Sequence, residues 1–112
     1  MNETGIKHDK GKPRMELIPR EGLIQLSRVL EFGANKYDDH NWRKGMAWSK
    51  LIGATLRHLH AFNDGIDTDD ESGISHIAHA VCNLMFLLEY IKVYPQLDDR
   101  YKTPIIKNEH SE

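Results

Sequence analysis

The sequence predicts an all-α domain built as a small bundle of three main helices. Three observations carry this. Apolar residues recur at helical spacing in three separate stretches. Turn formers separate those stretches, and no region has the alternating, strand-rich pattern of a sheet. The 112 residues make one domain with a modest core.

The elements follow in chain order. Residues 1–20 hold Gly5, Gly11, Pro13 and Pro19 among several charges, a composition that disfavours helix and reads as a basic arm. A first helix from about Gly22 to Lys36 aligns Leu23, Leu26, Val29 and Leu30. A loop of turn formers carrying Trp42 and Trp48 follows. Ser49 reads as the N-cap of a second helix, Lys50 to Asn63, with Leu51, Thr55, Leu59 and Phe62 on one stripe. Asp64-Gly65 ends it.

An acidic loop comes next, in which Ser72 or a preceding aspartate is the expected cap of a third helix. That helix runs to about Val93, where Tyr94-Pro95 closes it. One of its stripes is Ile77, Val81, Leu84, Leu88 and Ile91; another is Ala78, Cys82, Met85 and Phe86. A helix apolar over so much of its girth is buried on several sides, so a homo-oligomer, dimer or tetramer, is expected to complete the bundle. The division is therefore arm 1–20, helical domain 21–93 and tail 94–112. Within the tail, Ile105-Ile106 are the candidates for docking on a neighbour.

Composition narrows the function classes. The net charge of −2 gives no global basic field, so no nucleic-acid polymer is expected as partner. The amino end is polar from Asn2, and the longest apolar run is broken by Asn83 and Glu89; neither a leader nor a membrane span is expected. The lone Cys82 lies in that run and reads as a small core residue in a reducing compartment. Charge is locally uneven. Lys7, Lys10, Lys12 and Arg14 cluster in the arm, and Asp64, Asp67, Asp69, Asp70 and Glu71 cluster before the third helix.

Several groups of residues are capable of chemistry. His76, His79 and Asn83 share one helix face. Two adjacent imidazoles repel when both are protonated, which a shared metal or an acidic partner relieves; on spacing alone, core-edge histidines bonded to carboxylates or backbone are the plainer explanation. Arg57 and His58 lie off the second helix's apolar stripe, beside Ala54 and Ala61, which leave room for a ligand or for close packing. A salt bridge from Arg57 to the acidic loop is the plainer alternative, and His60 reads as surface.

Asp67, Asp69 and Glu71 alternate and can turn carboxylates toward a hard cation such as magnesium or manganese, although such runs are commonly solvated loops. Lys10, Gly11 and Lys12 offer two ammonium groups and an approachable backbone to a phosphate, without the spacing of a Walker loop. Lys36, Tyr37, Asn41 and Trp42 combine a charge, two aromatic faces and an amide, a set able to stack on a base and bond its edge. A packed loop anchored by Trp42 is the alternative. Nothing resembles a nucleophile elbow or a CxxC pair.

Taken in order, "KHDKGKPRMELIP", "EFGANKYDDHNW", "ATLRHLHAF" and "DESGISHIAHAVCNLMFLLE" resemble the phage and bacterial dATP/dGTP diphosphohydrolase N-terminal-domain-like family, over roughly Gly5 to Glu89. The resemblance implies a small helical domain in the style of MazG-type nucleotide pyrophosphohydrolases. It implies metal-dependent attack of water on a purine deoxynucleoside triphosphate, dATP or dGTP, with release of pyrophosphate, in the cytoplasm of a bacterium or of a phage's host.

The MazG-type Glu-x-x-Glu and Glu-x-x-Asp patterns do not occur on a helix here. On the comparison His58, Asp69, Glu71, His76 and His79 become the metal ligands, with Mg or Mn as the ion. Lys10, Lys12, Lys36, Tyr37, Asn41, Trp42 and Arg57 become the substrate-binding set, and Glu71 the catalytic base or a ligand. The family pattern carries an acid where this chain has Ile66, and prolines where it has Asp70 and Ser75. A helical oligomer that holds a nucleotide without hydrolysing it uses the same basic and aromatic residues. It has no need of the acid–histidine set, which favours the hydrolase. A structural domain whose histidines only pack is the third reading.

Overall fold

The computed structural model describes residues 4–105. Helix α1 spans Arg20–Lys36, α2 spans Trp48–Asn63 and α3 spans His76–Val93. Short 3-10 turns at Met15–Leu17, Asn41–Lys44 and Pro95–Leu97 sit in the connections. Among the described residues there is no strand, only an isolated bridge between Thr68 and Ser75. The expected all-α architecture of three helices is the one observed.

The longest apolar helix takes the centre, with α1 and α2 both packing against α3. Leu26 and Val29 of α1 meet Ala78 and Cys82 of α3 in one buried cluster. Trp48 and Leu51 of α2 meet Tyr90 in the other, and Phe86 packs against both. Small residues at 78, 80 and 82 let the neighbouring helices approach, and all three are buried. Burial pushes the Cys82 thiol up to about 11, as befits an inert core residue.

Two helix starts differ from expectation. Ser49 is not the N-cap of α2, which begins one residue earlier at Trp48 with Ala47 in the capping position. Asp99 supplies the cap from fifty residues away, accepting from Ser49 N at 2.9 Å and Ser49 Oγ at 2.6 Å. Nor does Ser72 cap α3: Ser75 does, its Oγ accepting from Ile77 N at 3.1 Å. His76 and His79 therefore occupy the first turn of α3.

The expected stops hold. Asp64 ends α2 ahead of Gly65 at φ +91°, and Tyr94 ends α3 ahead of Pro95. The segment after α3 folds back on α2, with Trp48 Nε1 donating to the Tyr94 carbonyl at 3.1 Å. Gly45 permits that return. At φ +87° it passes so close that a Cβ would lie 3.0 Å from both Leu97 and Tyr94.

Part of the apolar surface read from the sequence is not buried within one chain. The α3 stripe Ile77, Val81, Leu84, Leu88 and Ile91 lies exposed on this single chain, Leu88 at 68%. Leu59 and Phe62 of α2 and Leu23 of α1 are exposed as well. The helical domain fills two small clusters with part of its apolar surface and leaves the rest outward. Ile105 is exposed, and Ile106 lies outside the described residues.

Candidate functional site

The acidic loop is ordered by its own backbone. Asp69 N donates to Ile74 O at 2.9 Å, Gly73 N to Asp69 O at 2.7 Å and His76 N to Asp67 O at 3.0 Å. These bonds turn the chain over the start of α3 and bring Asp69 and Ser72 above it. Ser72 N then donates to Asp69 Oδ2 at 3.0 Å, fixing the carboxylate. The Ser72 hydroxyl accepts from Ile74 N at 3.1 Å and is hydrogen-bonded to His79 Nε2 at 2.6 Å.

α2 completes the group. His58 reaches the first turn of α3, and its Nδ1 lies 2.8 Å from His76 Nδ1. One ring must carry the proton of that bond and the other a lone pair. The His79 ring lies nearly flat on His58, with centroids 4.6 Å apart and planes 10° apart. Phe32 of α1 sets its edge against His79 at 6.2 Å. Three histidines from two helices are thus held in fixed orientation.

The environment sets their charge. Burial lowers the His58 pKa, and the neighbouring His79 and His76 lower it further against the opposing pull of Asp69. Burial likewise lowers His79, where His76 adds to the effect while Asp69 and Glu71 oppose it. For Asp69 burial is the largest influence and pushes upward. The two bonds from Ser72, with His79 and His58, outweigh it and hold the carboxyl below its usual range. A neutral His58 beside the Asp69 carboxylate is the pair of protonation states that metal ligation by these two residues needs.

His58, Asp69 and His76 each offer a ligand atom, and these atoms lie within 4.8 Å of one another. Two imidazole nitrogens and a carboxylate oxygen form a donor set that fits a divalent ion with open positions for solvent or substrate. His79, expected as a ligand, lies outside this set of three; its Nε2 is hydrogen-bonded to Ser72 and its ring stacks on His58. Glu71 is engaged by Lys36, whose Nζ lies 2.8 and 3.0 Å from its two oxygens. That contact is the main reason the Lys36 pKa is raised.

Beside this group opens a cleft of about 550 Å³, walled by α1, α2, α3 and the 38–42 loop. Lys36, Arg57, His58, Asp69, Glu71 and His79 line the end near the start of α3. Trp42, Met46, Leu51 and Phe86 line the other. Among the described residues Arg57 forms no ion pair, so the salt bridge to the acidic loop weighed from sequence is not made.

Tyr37 and Asn41 also line the cleft, Tyr37 largely exposed. Trp42 is partly committed to the fold, stacked on Phe86 at 4.8 Å with the Arg43 guanidinium 4.5 Å from its ring. Lys10 and Lys12 do not line the cleft; they border a separate hollow within the arm together with Asp9, Arg14 and Glu16.

Two contributors escaped the sequence reading. Ser72 bridges Asp69 to His79, where sequence suggested only a helix cap. The signal was the Asp-x-x-Ser spacing, in which the aspartate side chain caps the turn three residues on. Phe32, which braces His79, gave no signal beyond its place near the end of α1.

Residues 2–100 match the family described as dATP/dGTP diphosphohydrolase, N-terminal. A relative from Salmonella phage PMBT28, named dATP/dGTP diphosphohydrolase, is 39% identical over 97 residues. The match covers 87% of this chain and 33% of the relative, so the chain spans about a third of the length of that curated relative. No solved structure matches.

Proposed function

The chain belongs to the dATP/dGTP diphosphohydrolase N-terminal family, and from that premise we propose that it is a metal-dependent hydrolase of purine deoxynucleoside triphosphates. The products are the nucleoside monophosphate and pyrophosphate. One observation supports this reading above the rest: a single cleft joins an acid–histidine group and the cations Lys36 and Arg57 to an apolar wall. Its volume lies in the range of about 300–1,000 Å³ typical of small-molecule sites.

Each residue then has a task. His58, Asp69 and His76 would hold the ion. When bound, it would supply positive charge against phosphate oxygens and lower the pKa of water. Lys36 and Arg57 bind the triphosphate, while Tyr37, Asn41 and the Trp42–Phe86 wall receive sugar and base. Water attacks the α-phosphorus, and the bond from that phosphorus to the bridging oxygen breaks. The leaving pyrophosphate carries the electron pair away. Glu71 accepts the water's proton, and Lys36 enables this by exchanging its carboxylate partner for a phosphate oxygen. Ser72 and His79 act by positioning Asp69 and His58. Such a substrate is met in the cytoplasm of a bacterium or of a phage's host.

A second copy of the chain completes the bundle in this reading. The exposed residues 77, 81, 84, 88 and 91 are spaced by alternating steps of four and three, the seam of a helix that packs against another helix. No helix among the described residues is long and apolar enough to cross a membrane.

The test is incubation of the purified chain with each deoxynucleoside triphosphate and Mg²⁺ or Mn²⁺, with chromatographic identification of products. Monophosphate and pyrophosphate in equal amounts from dATP or dGTP are expected. Nucleotide retained without turnover would replace the hydrolase by a nucleotide-binding protein.

A further inference from the structure

We propose that His58, Asp69 and His76 form a nitrogen-rich centre that takes a first-row transition ion of the Mn²⁺–Zn²⁺ series in preference to Mg²⁺. This rests on reading the cluster as the metal site of the hydrolase, and it adds the chemical class of the ion.

Among the described residues, His58, Asp69 and His76 are the three whose ligand atoms lie within 4.8 Å of one another. Two of the three are imidazole nitrogens. Mg²⁺ is a hard ion that seeks oxygen, keeps its water and leaves imidazole to softer cations. The oxygens that would suit Mg²⁺ are not gathered here. Asp67 and Asp70 are exposed, and Glu71 is bound by Lys36.

Geometry supports the same class. Two nitrogens each about 2.1 Å from one ion, at a right angle, stand about 3.0 Å apart. The His58 and His76 Nδ1 atoms are 2.8 Å apart before any ion is added. The two nitrogens thus already stand at about the spacing that one ion requires, and an ion would replace the proton that now lies between them.

The supports are in place as well. Ser72 N fixes the Asp69 carboxylate at 3.0 Å, and His79 fixes the His58 ring by stacking at 4.6 Å. His58 and Asp69 also line the cleft, so the open side of the centre faces the proposed substrate. Three protein donors with an open side is the arrangement of a reactive rather than a structural metal site.

The experiment uses the full untagged chain, stripped with a chelator and dialysed. Co²⁺ is titrated while its visible absorption is followed, and Mn²⁺ and Mg²⁺ affinities are measured by calorimetry. One equivalent of Co²⁺ should bind with visible bands, and Mg²⁺ should bind about a hundredfold or more weakly and fail to displace it. His58→Gln and His76→Ala each remove a direct ligand, so each should weaken Co²⁺ by more than the roughly tenfold to hundredfold that loss of a ligand's supporting partner costs, with the helical circular dichroism unchanged. Asp69→Asn serves as the third variant should one of these fail to fold.

Mg²⁺ competing at parity would overturn the proposal, as would Co²⁺ binding that survives in all folded variants. Tight Co²⁺ binding by a chain that turns over no nucleotide would support the centre and remove the hydrolase. Turnover on Mg²⁺ with no Co²⁺ signal would do the reverse.

Discussion

His58 and His76, eighteen residues apart in sequence, face each other Nδ1 to Nδ1 at 2.8 Å across the α2–α3 junction. Burial and mutual proximity favour the neutral form of His58, whose lone pair then needs a proton or a cation.

That neutrality makes stability depend on pH. The folded pKa values of His58 and His79 lie below the unfolded value of about 6.5. The unfolded chain therefore binds more protons in the acidic range, and stability rises with pH there. The contribution is complete above the unfolded pKa and is lost as pH falls through the lowered folded values. In metal-free protein the unfolding midpoint should drop between pH 7 and pH 5, and the drop should shrink in His79→Gln. Midpoints measured across this range provide the check.

Lys36 and Glu71 close the cleft with an ion pair between solvent-exposed side chains. Exposed pairs contribute little to stability, so Lys36→Ala should leave the unfolding midpoint nearly unchanged. Its effect should fall on substrate binding, raising KM about tenfold through loss of a charged phosphate contact. Glu71→Gln should instead lower kcat with KM little altered if Glu71 is the proton acceptor proposed above. Steady-state kinetics on both variants separate the two roles. Equal effects on kcat and KM in both would remove the distinction.

Tyr90 is fully buried, and its hydroxyl donates to the Trp42 carbonyl, tying the 38–42 loop to α3. Tyr90→Phe keeps the ring and leaves that carbonyl without its partner, so it should cost about 1–2 kcal/mol. Denaturant unfolding measures the loss. Nucleotide affinity should fall with it, because the loop carries Asn41 and Trp42 into the cleft wall.

The exposed α3 seam predicts assembly. Leu88→Lys places a charge in its middle, and Leu88 is 68% exposed in the single chain. Sizing chromatography with light scattering should show the wild type as a dimer or larger and the variant shifted toward monomer, with helical content retained. A wild-type monomer would remove the interface.

Much of this fold is legible in the sequence, because helical spacing and turn residues are local signals. The ends of α2 and α3 follow from Asp64-Gly65 and Tyr94-Pro95 without reference to the rest of the chain. The start of α2 does not, because its cap is Asp99, brought back by the turn after α3. At the site, residue types pointed to Asp69 and His76 and the family resemblance added His58, but their convergence depends on helix packing and on the backbone bonds of the acidic loop. The same bonds turned Ser72 toward Asp69 and His79, which no periodicity encodes. The arm lysines carry a phosphate-binding composition, yet the fold sets them in their own hollow.

The most direct measurement is pyrophosphate release from dATP and dGTP by chelator-stripped protein as Mn²⁺ is added back, with wild type beside His76→Ala. The account predicts no release without the ion and saturable recovery in the wild type. It predicts at least about a hundredfold less in the folded variant at the same Mn²⁺ concentration. Release that needs no divalent ion, or equal recovery in His76→Ala, would contradict it.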